Sequence, residues 1–244
     1  MRVLIVVNGD PGSGPPAGPF DRIMAADGGA LLCLRAGLHP DLVVGDMDSL
    51  PASHRPALSA AGSRLLVHPD PVNKEQTDLE LAVEAALAWK PDEIVLWGVW
   101  GNRPDHTLAN ILSLTAPALA GVSARAYANG WWFQIASPGH SVNLDQPPGT
   151  IVSLIPLGGR VSGIVTQGLR YPLPAPWEAH GGELSVGTGR GVSNVLARQP
   201  ATVSVEEGTL LVVYGPPDQG VDANRGPPDQ GVNANLDLKP KKDA

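Results

Sequence analysis

Three acidic stretches hold the residues of this chain that are best suited to chemistry. "GDMDS" at Gly45–Ser49 sets Asp46 and Asp48 one residue apart, "NKEQTD" at Asn73–Asp78 ends on Asp78, and "GNRPDH" at Gly101–His106 contains Arg103, Asp105 and His106. Close carboxylates repel, so such a pair is tolerated only with a cation, a proton or open solvent beside it. Taken singly, each stretch suits a structural role: a solvated turn for Asp46 and Asp48, helix starts for Asp78 and Asp105. Taken together, Asp46, Asp48 and Asp78 supply hard oxygen ligands suited to Mg²⁺, an ion that favours carboxylates together with substrate phosphates. Lys74 and Arg103 then meet phosphate oxygens, and helix starts near Asp78 and Asp105 add backbone N–H donors for anions. The expected site is a cradle for a metal-bound polyphosphate. It is not a P-loop, because no G-x-x-x-x-G-K-[ST] occurs, and the glycines of "GDPGSGPPAG" and "GTGRG" match no dinucleotide fingerprint.

For these loops to act together, the elements before them must bring them to one edge. Short apolar runs at Val3–Val7, Ile23–Ala26, Leu42–Val44, Leu65–Val67 and Ile94–Trp97 read as buried strands. Helical patterns lie between them. The clearest spans Asp78 to Trp89, with Leu79, Val83, Ala86 and Leu87 on one face and a capping box of Thr77 and Glu80 at its start. Another follows Pro104, where Asp105 is placed to cap and Leu108, Ile111, Leu112, Thr115 and Leu119 keep helical spacing. Strands alternating with helices predict a mostly parallel sheet covered on both faces, and ligands of such sheets bind at the carboxyl ends of the strands. All three acidic stretches follow strands, so all three are expected on that edge.

After Gly130 the pattern changes. "WWFQIAS", "TIVSLIPL", "RVSGIVTQ", "VSNVLA", "ATVSVEEG" and "TLLVVY" are strand-like and separated by turns, with no helix evident. The expected organisation is an α/β domain over residues 1–130, an antiparallel β-sandwich or small barrel over 131–214, and a disordered tail over 215–244. That tail repeats "GPPDQGVDAN" as "GPPDQGVNAN" and has no aromatic residue, leaving too little apolar surface to offset ordering. Trp131 and Trp132 are expected in the core or between domains, since adjacent strand positions face opposite ways.

Composition narrows the function classes. A net charge of -7 argues against a nucleic-acid binder, whose affinity rests on neutralising phosphates with a basic face. Cys33 is the only cysteine, so no intrachain disulfide forms, and its place in "GALLCLRAG" suggests a helix core position. The start "MRVLIVVNGD" is too short in apolar residues for a signal peptide, and no run approaches a membrane span. A cytoplasmic protein, with no membrane partner, is expected.

In order along the chain, "AADGGA" (Ala25–Ala30), "PDLVVGDMDS" (Pro40–Ser49), "KEQTDLELA" (Lys74–Ala82), "RPDHTLANI" (Arg103–Ile111), "GLRYPL" (Gly168–Leu173) and "GVSN" (Gly191–Asn194) resemble the motifs of thiamine pyrophosphokinases. The resemblance extends from about Met1 to Tyr214. It implies an α/β nucleotide-binding domain followed by a β-sandwich, a homodimer, and transfer of the diphosphate of ATP to the thiamine hydroxyl with release of AMP. It implies a metal and catalytic set of Asp46, Asp48 and Asp78, joined by Arg103 and Asp105, with Asp78 or Asp105 orienting the alcohol or taking its proton. Asp27, Lys74, Thr77, Arg103 and His106 are implied on the ATP side, His106 either touching the nucleotide or orienting its neighbours. Tyr171, Ser193 and Asn194 are implied on the thiamine side, at a dimer interface, with Ser193 and Asn194 as polar contacts to the aminopyrimidine. Thiamine is a flat permanent cation, so Tyr171 is either an aromatic platform for it or an ordinary sheet-packing residue. Four positions depart from the family pattern: Asn73 and Glu75 stand where aspartates are common, Asn102 where glycine is usual, and Val195 where bacterial members often have glutamate. Two rival functions use the same residues, a metal-dependent phosphohydrolase with water as nucleophile and a non-catalytic thiamine or nucleotide sensor.

Overall fold

The computed structural model describes residues 1–67, 76–116, 121–174 and 182–217. Lys74, Asn73, Glu75 and Leu119 lie outside the described residues, as does the repeat-bearing tail beyond Pro217.

Six parallel strands form the first half of the sheet: β1 (Arg2–Val6), β2 (Arg22–Ala26), β3 (Leu42–Gly45), β4 (Arg64–Val67), β5 (Glu93–Trp97) and β6 (Ser123–Ala128). Their order is β4-β3-β2-β1-β5-β6. The chain therefore steps outward from β1 to β4, then returns to the other side of β1, leaving a topological switch point between β1 and β5. The inner strands β1, β2, β3 and β5 are covered on both faces, which is why they read as continuous apolar runs. Leu4 and Val6 face α1 (Gly29–Arg35) and α2 (Arg55–Ala60), packing with Leu32, Cys33 and Leu58. Val3 and Ile5 face α3 (Asp78–Leu87) and α4 (Pro104–Leu112), packing with Leu79, Val83 and Ile111. Each fully buried aliphatic side chain contributes about 1.5–3 kcal/mol relative to exposure, so these two layers hold the sheet's edge rigid.

The capping box forms as the sequence indicates. Glu80 N–H donates to Thr77 Oγ1 at 3.2 Å, and Thr77 N–H donates to Glu80 Oε2 at 2.7 Å. The helix ends at Leu87, two residues before the expected Trp89, in a turn where Lys90 N–H reaches Leu87 O and Lys90 takes a φ of 54°. Two other expectations are corrected. The run Leu65–Val67 lies in an edge strand, with Leu66 and Val67 exposed, because nothing among the described residues pairs with β4 beyond β3. In α4 the N-cap is Arg103 and its side chain makes no capping bond; Asp105 sits inside the first turn. Of its apolar residues Ile111 is buried while Leu108 and Leu112 are exposed, so the buried face runs through Ile111 and Leu114.

The second half of the sheet is antiparallel. It comprises β7 (Trp131–Ala136), β8 (Val142–Asn143), β9 (Thr150–Gln167), β10 (Gly182–Ser185), β11 (Asn194–Val195), β12 (Thr202–Ser204) and β13 (Glu207–Pro217). The hydrogen-bonded path continues β6-β7-β13-β9-β12-β8, with β10 and β11 also on β9. The boundary expected at Gly130 falls in the turn joining β6 to β7. "TIVSLIPL" and "RVSGIVTQ", expected as two strands, form the single 18-residue β9. Its first part pairs with β13 and its last residues with β12, and the two wrap a second core of Val152, Leu154, Val161, Ile164, Leu184, Val203 and Val212. β13 runs three residues past Tyr214, pairing Gly215 with Ile151 and Pro217 with Thr150. Trp131 packs on the first core and Trp132 on the others, as their alternation requires. No helix among the described residues is long and apolar enough to cross a membrane.

Candidate active site

The loop after β3 turns on Met47. This residue adopts a φ of 63° and buries its side chain against Leu50 and Leu58, so its neighbours Asp46 and Asp48 are left at the surface of the turn. Asp48 N–H donates to Asp46 Oδ1 at 3.2 Å, and Arg55 donates to Met47 O at 2.9 Å, pinning the loop from α2. The two acids are thus anchored by an apolar residue between them.

Asp27 completes the cluster. Ligand oxygens of Asp27, Asp46 and Asp48 lie within 4.8 Å of one another. Asp27 follows β2 directly with a φ of 40° and is 3% exposed, whereas Asp46 is half-buried and Asp48 exposed. Its Oδ2 accepts from Ser49 N–H at 3.1 Å, while its Oδ1 is buried without a hydrogen-bond partner among the described residues. Desolvation pushes the Asp27 carboxyl above the usual range; the charge of Asp78 adds to this, and the hydrogen bonds from Ser49 oppose it. Asp78, at the first position of α3, meets Asp27 over Gly45. A Cβ at residue 45 would lie 2.9 Å from both Asp27 Cβ and Asp78 Oδ1, and its φ of 147° is one that glycine tolerates. Of the three acids expected to hold a metal, Asp46 and Asp48 cluster with the buried Asp27, and Asp78 stands alongside. The signal in the sequence was an aspartate ending an apolar run before two glycines, in "AADGGA". These residues fit a hard divalent cation: the donor set is all carboxylate, and one buried oxygen lacks a proton donor.

The rest of the edge is built by the loops after β1 and β5. Gly9 approaches so closely that a Cβ would sit 2.0 Å from Gly98 O, and Asp10 N–H donates to Trp100 O at 2.6 Å. Backbone contact thus closes the switch point itself, and the open acidic surface lies beside it, at β2 and β3. Beyond β5, Arg103 and Asp105 pair through two hydrogen bonds, at 2.5 and 3.2 Å, both side chains exposed. The guanidinium and the His106 N–H hold the Asp105 carboxyl down at about 2. Asp105 and Arg103 thus form an exposed ion pair at the start of α4. His106 is exposed in the same first turn. Thr77 spends its hydroxyl and its N–H on the cap of α3.

The residues expected on the thiamine side gather elsewhere, on β11 and the loop after β9. Tyr171 is 45% exposed, in the loop after β9. Ser193 is exposed with a φ of 60°, and its N–H donates to Ser153 Oγ at 3.2 Å. Asn194 is buried, with its amide hydrogen-bonded to both backbone groups of Tyr171. Val195 is buried too, paired with Ile151.

Comparison with known proteins matches residues 19–124 to the family described as "Thiamin pyrophosphokinase, catalytic domain" and residues 139–210 to "Thiamin pyrophosphokinase, vitamin B1 binding domain". The thiamine pyrophosphokinase of Bacillus subtilis (strain 168) is 29% identical over 191 residues, covering 78% of this chain and 85% of the relative. The crystal structure of a Bacillus subtilis thiamine pyrophosphokinase superposes with a TM-score of 0.74 at 26% identity, covering 88% of this chain and 99% of that one. An Enterococcus faecalis thiamin pyrophosphokinase family protein gives 0.72 at 26% identity, covering 89% and 100%.

Proposed function

The chain belongs to the thiamin pyrophosphokinase family, and from that premise we propose how its residues divide the work of making thiamine diphosphate from thiamine and ATP. The enzyme is a transferase: the diphosphate of ATP passes to the thiamine hydroxyl and AMP leaves. The observation that carries the assignment of the acidic edge is the meeting of Asp27, Asp46 and Asp48, where Asp27 Oδ1 is buried without a hydrogen-bond partner among the described residues.

Asp27, Asp46 and Asp48 would hold Mg²⁺, which when bound would supply positive charge to the ATP phosphates. The protein's own contribution is position and charge at the ends of the reacting chain, the main components of phosphoryl-transfer catalysis. Asp78, over Gly45, stands where a carboxylate orients the attacking alcohol. Arg103, aimed by Asp105, meets phosphate oxygens at the far side of the edge. β5 lies two strands from β2, about 10 Å at ordinary strand spacing, so the phosphates lie across the strand ends. His106 and Lys74 belong to this ATP side, and Thr77 supports it by starting α3. Tyr171 offers its ring to the thiamine cation, with Ser193 and Asn194 in the same wall. Two parts, residues 1–130 and 131–214, thus hold ATP and thiamine respectively, and a homodimer with each site shared between subunits brings them together. The reaction belongs in a reducing cytoplasm, in keeping with a single, buried thiol.

The test is product analysis with ATP, thiamine and Mg²⁺. Thiamine diphosphate and AMP in equal amounts support the assignment. Inorganic phosphate or diphosphate without thiamine diphosphate indicates a hydrolase, and thiamine binding without turnover indicates a sensor.

A further inference from the structure

The exposed ring of Tyr171 sits on a backbone held by one buried side chain. The segment from Gly168 runs back along β11 and the residues after it: Ala197 N–H donates to Gly168 O at 2.7 Å, Leu169 and Leu196 form a bridge, and Arg170 N–H donates to Val195 O at 2.8 Å. At the next residue the ladder passes from main chain to side chain. Tyr171 N–H donates to Asn194 Oδ1 at 3.0 Å, and Tyr171 O accepts from Asn194 Nδ2 at 2.6 Å. The Asn194 amide thereby stands in for a peptide unit of a paired strand. Val195 N–H gives Oδ1 a second donor at 2.8 Å. Two N–H groups converge on one atom and a carbonyl on the other, so the amide has a single satisfactory orientation.

An asparagine amide offers two acceptor sites and two donors. Here both acceptor sites and one donor are committed to backbone, and the residue is only 8% exposed. Little of Asn194 is left to read a ligand. Tyr171 is the reverse, its backbone bound and its ring open. On the far side Thr166 closes the loop, accepting from Leu173 N–H at 2.8 Å and donating its own N–H to Leu173 O at 2.6 Å.

We infer that Asn194 is a positioning residue for thiamine, which brackets the Tyr171 peptide so that the ring is presented to the substrate, and is not itself a contact to the aminopyrimidine. The inference rests on the assignment of Tyr171 as the aromatic platform.

A double-mutant cycle tests it: wild type, Tyr171→Ala, Asn194→Ala and the double variant, with KM for thiamine and for ATP measured at saturating Mg²⁺. Loss of a cation–π platform is expected to raise KM for thiamine about tenfold in either single variant, with KM for ATP unchanged. The double variant should match Tyr171→Ala within about twofold, because the bracket has nothing left to position. A rise of about a hundredfold in the double variant means that Asn194 acts independently, and overturns the inference while leaving the platform intact. An unchanged KM for thiamine in Tyr171→Ala removes the platform and the inference with it. If Asn194→Ala does not fold, the cycle is run with Asn194→Asp, which still accepts both N–H groups but sets a carboxylate oxygen against Tyr171 O. That variant is expected to show a smaller rise in KM for thiamine, abolished in the Tyr171→Ala background, and a rise that persists there overturns the bracket. Amide hydrogen exchange gives a second reading. Asn194→Ala should lose protection at Tyr171 and keep it at Leu154 and Val212, and retained protection at Tyr171 counts against the bracket.

Discussion

Replacing Asp27 by asparagine should stabilise the metal-free protein and abolish its response to Mg²⁺. The two side chains are nearly the same size, and asparagine tolerates the φ of 40° at this position as well as aspartate does. The bond from Ser49 N–H can be kept, since an amide oxygen also accepts. What changes is charge. With ligand oxygens within 4.8 Å, each carboxylate pair repels by about 3 kcal/mol at an effective dielectric near 20, before screening by the solvent that reaches Asp46 and Asp48. A net gain of about 1–2 kcal/mol is expected in EDTA, roughly 2–8 °C in Tm for a domain of this size. In the wild type, Mg²⁺ at a hundredfold excess over Kd adds about 2.7 kcal/mol, and in Asp27→Asn most of that shift should disappear. Turnover, followed as thiamine-dependent AMP release, should fall by about a hundredfold or more. Scanning fluorimetry in EDTA and across a Mg²⁺ titration reads both effects. A variant that melts below wild type in EDTA and keeps the full Mg²⁺ shift would show Asp27 to be a structural carboxylate, and the triad would not be the metal site.

Asp46→Asn and Asp48→Asn should fold normally and lose most activity, whereas a merely solvated turn would give near-normal turnover at saturating Mg²⁺. Burial pushes the Cys33 thiol from 9.0 up to about 12, so its contribution to stability is whole below pH 9 and lost as pH rises toward 12. Chemical denaturation should show a loss of up to about 1.4 kcal/mol per pH unit in that window, absent in Cys33→Ala. Truncation after Pro217 should leave Tm and turnover close to those of the full chain, whereas truncation before Gly215 should lower Tm, because it removes the pairing with Ile151 and Thr150. Mixing an Asp46→Asn chain with an Asn194→Ala chain should, after subunit exchange and at low thiamine, recover about a quarter of wild-type activity. Half the dimers are then mixed and each has one sound site, so no recovery with heterodimers confirmed by native mass spectrometry would place each site within one chain.

Local pattern alone determined much of this protein. Five apolar runs became β1 to β5 within a residue or so; for the inner strands β1, β2, β3 and β5, which are covered on both faces, an unbroken hydrophobic stretch is signal enough. Thr77 and Glu80 made their capping box because every atom in it lies within four residues. The positions of the loops after β3 and β5 were legible for a similar reason: each follows a strand, and parallel strands end on one edge. The identity of the family was also carried by those motifs.

Whatever depended on neighbours distant in sequence was settled by the tertiary structure. Leu66 and Val67 read as core but are exposed, since only the strand order makes β4 an edge. Gly158 and Gly159 read as a turn, yet β9 runs through them because its pairings with β13, β10 and β12 lie on either side. Asp27 became the buried member of the acid cluster only when β2 and β3 lay side by side and Gly45 let α3 approach, since desolvation and charge repulsion act through space. Likewise Asn194 stands 23 residues from Tyr171, so no spacing rule could reveal that its amide completes the ladder there. Sequence periodicity specifies which way a residue faces within its own element; which charges and amides it then meets is decided by packing between elements.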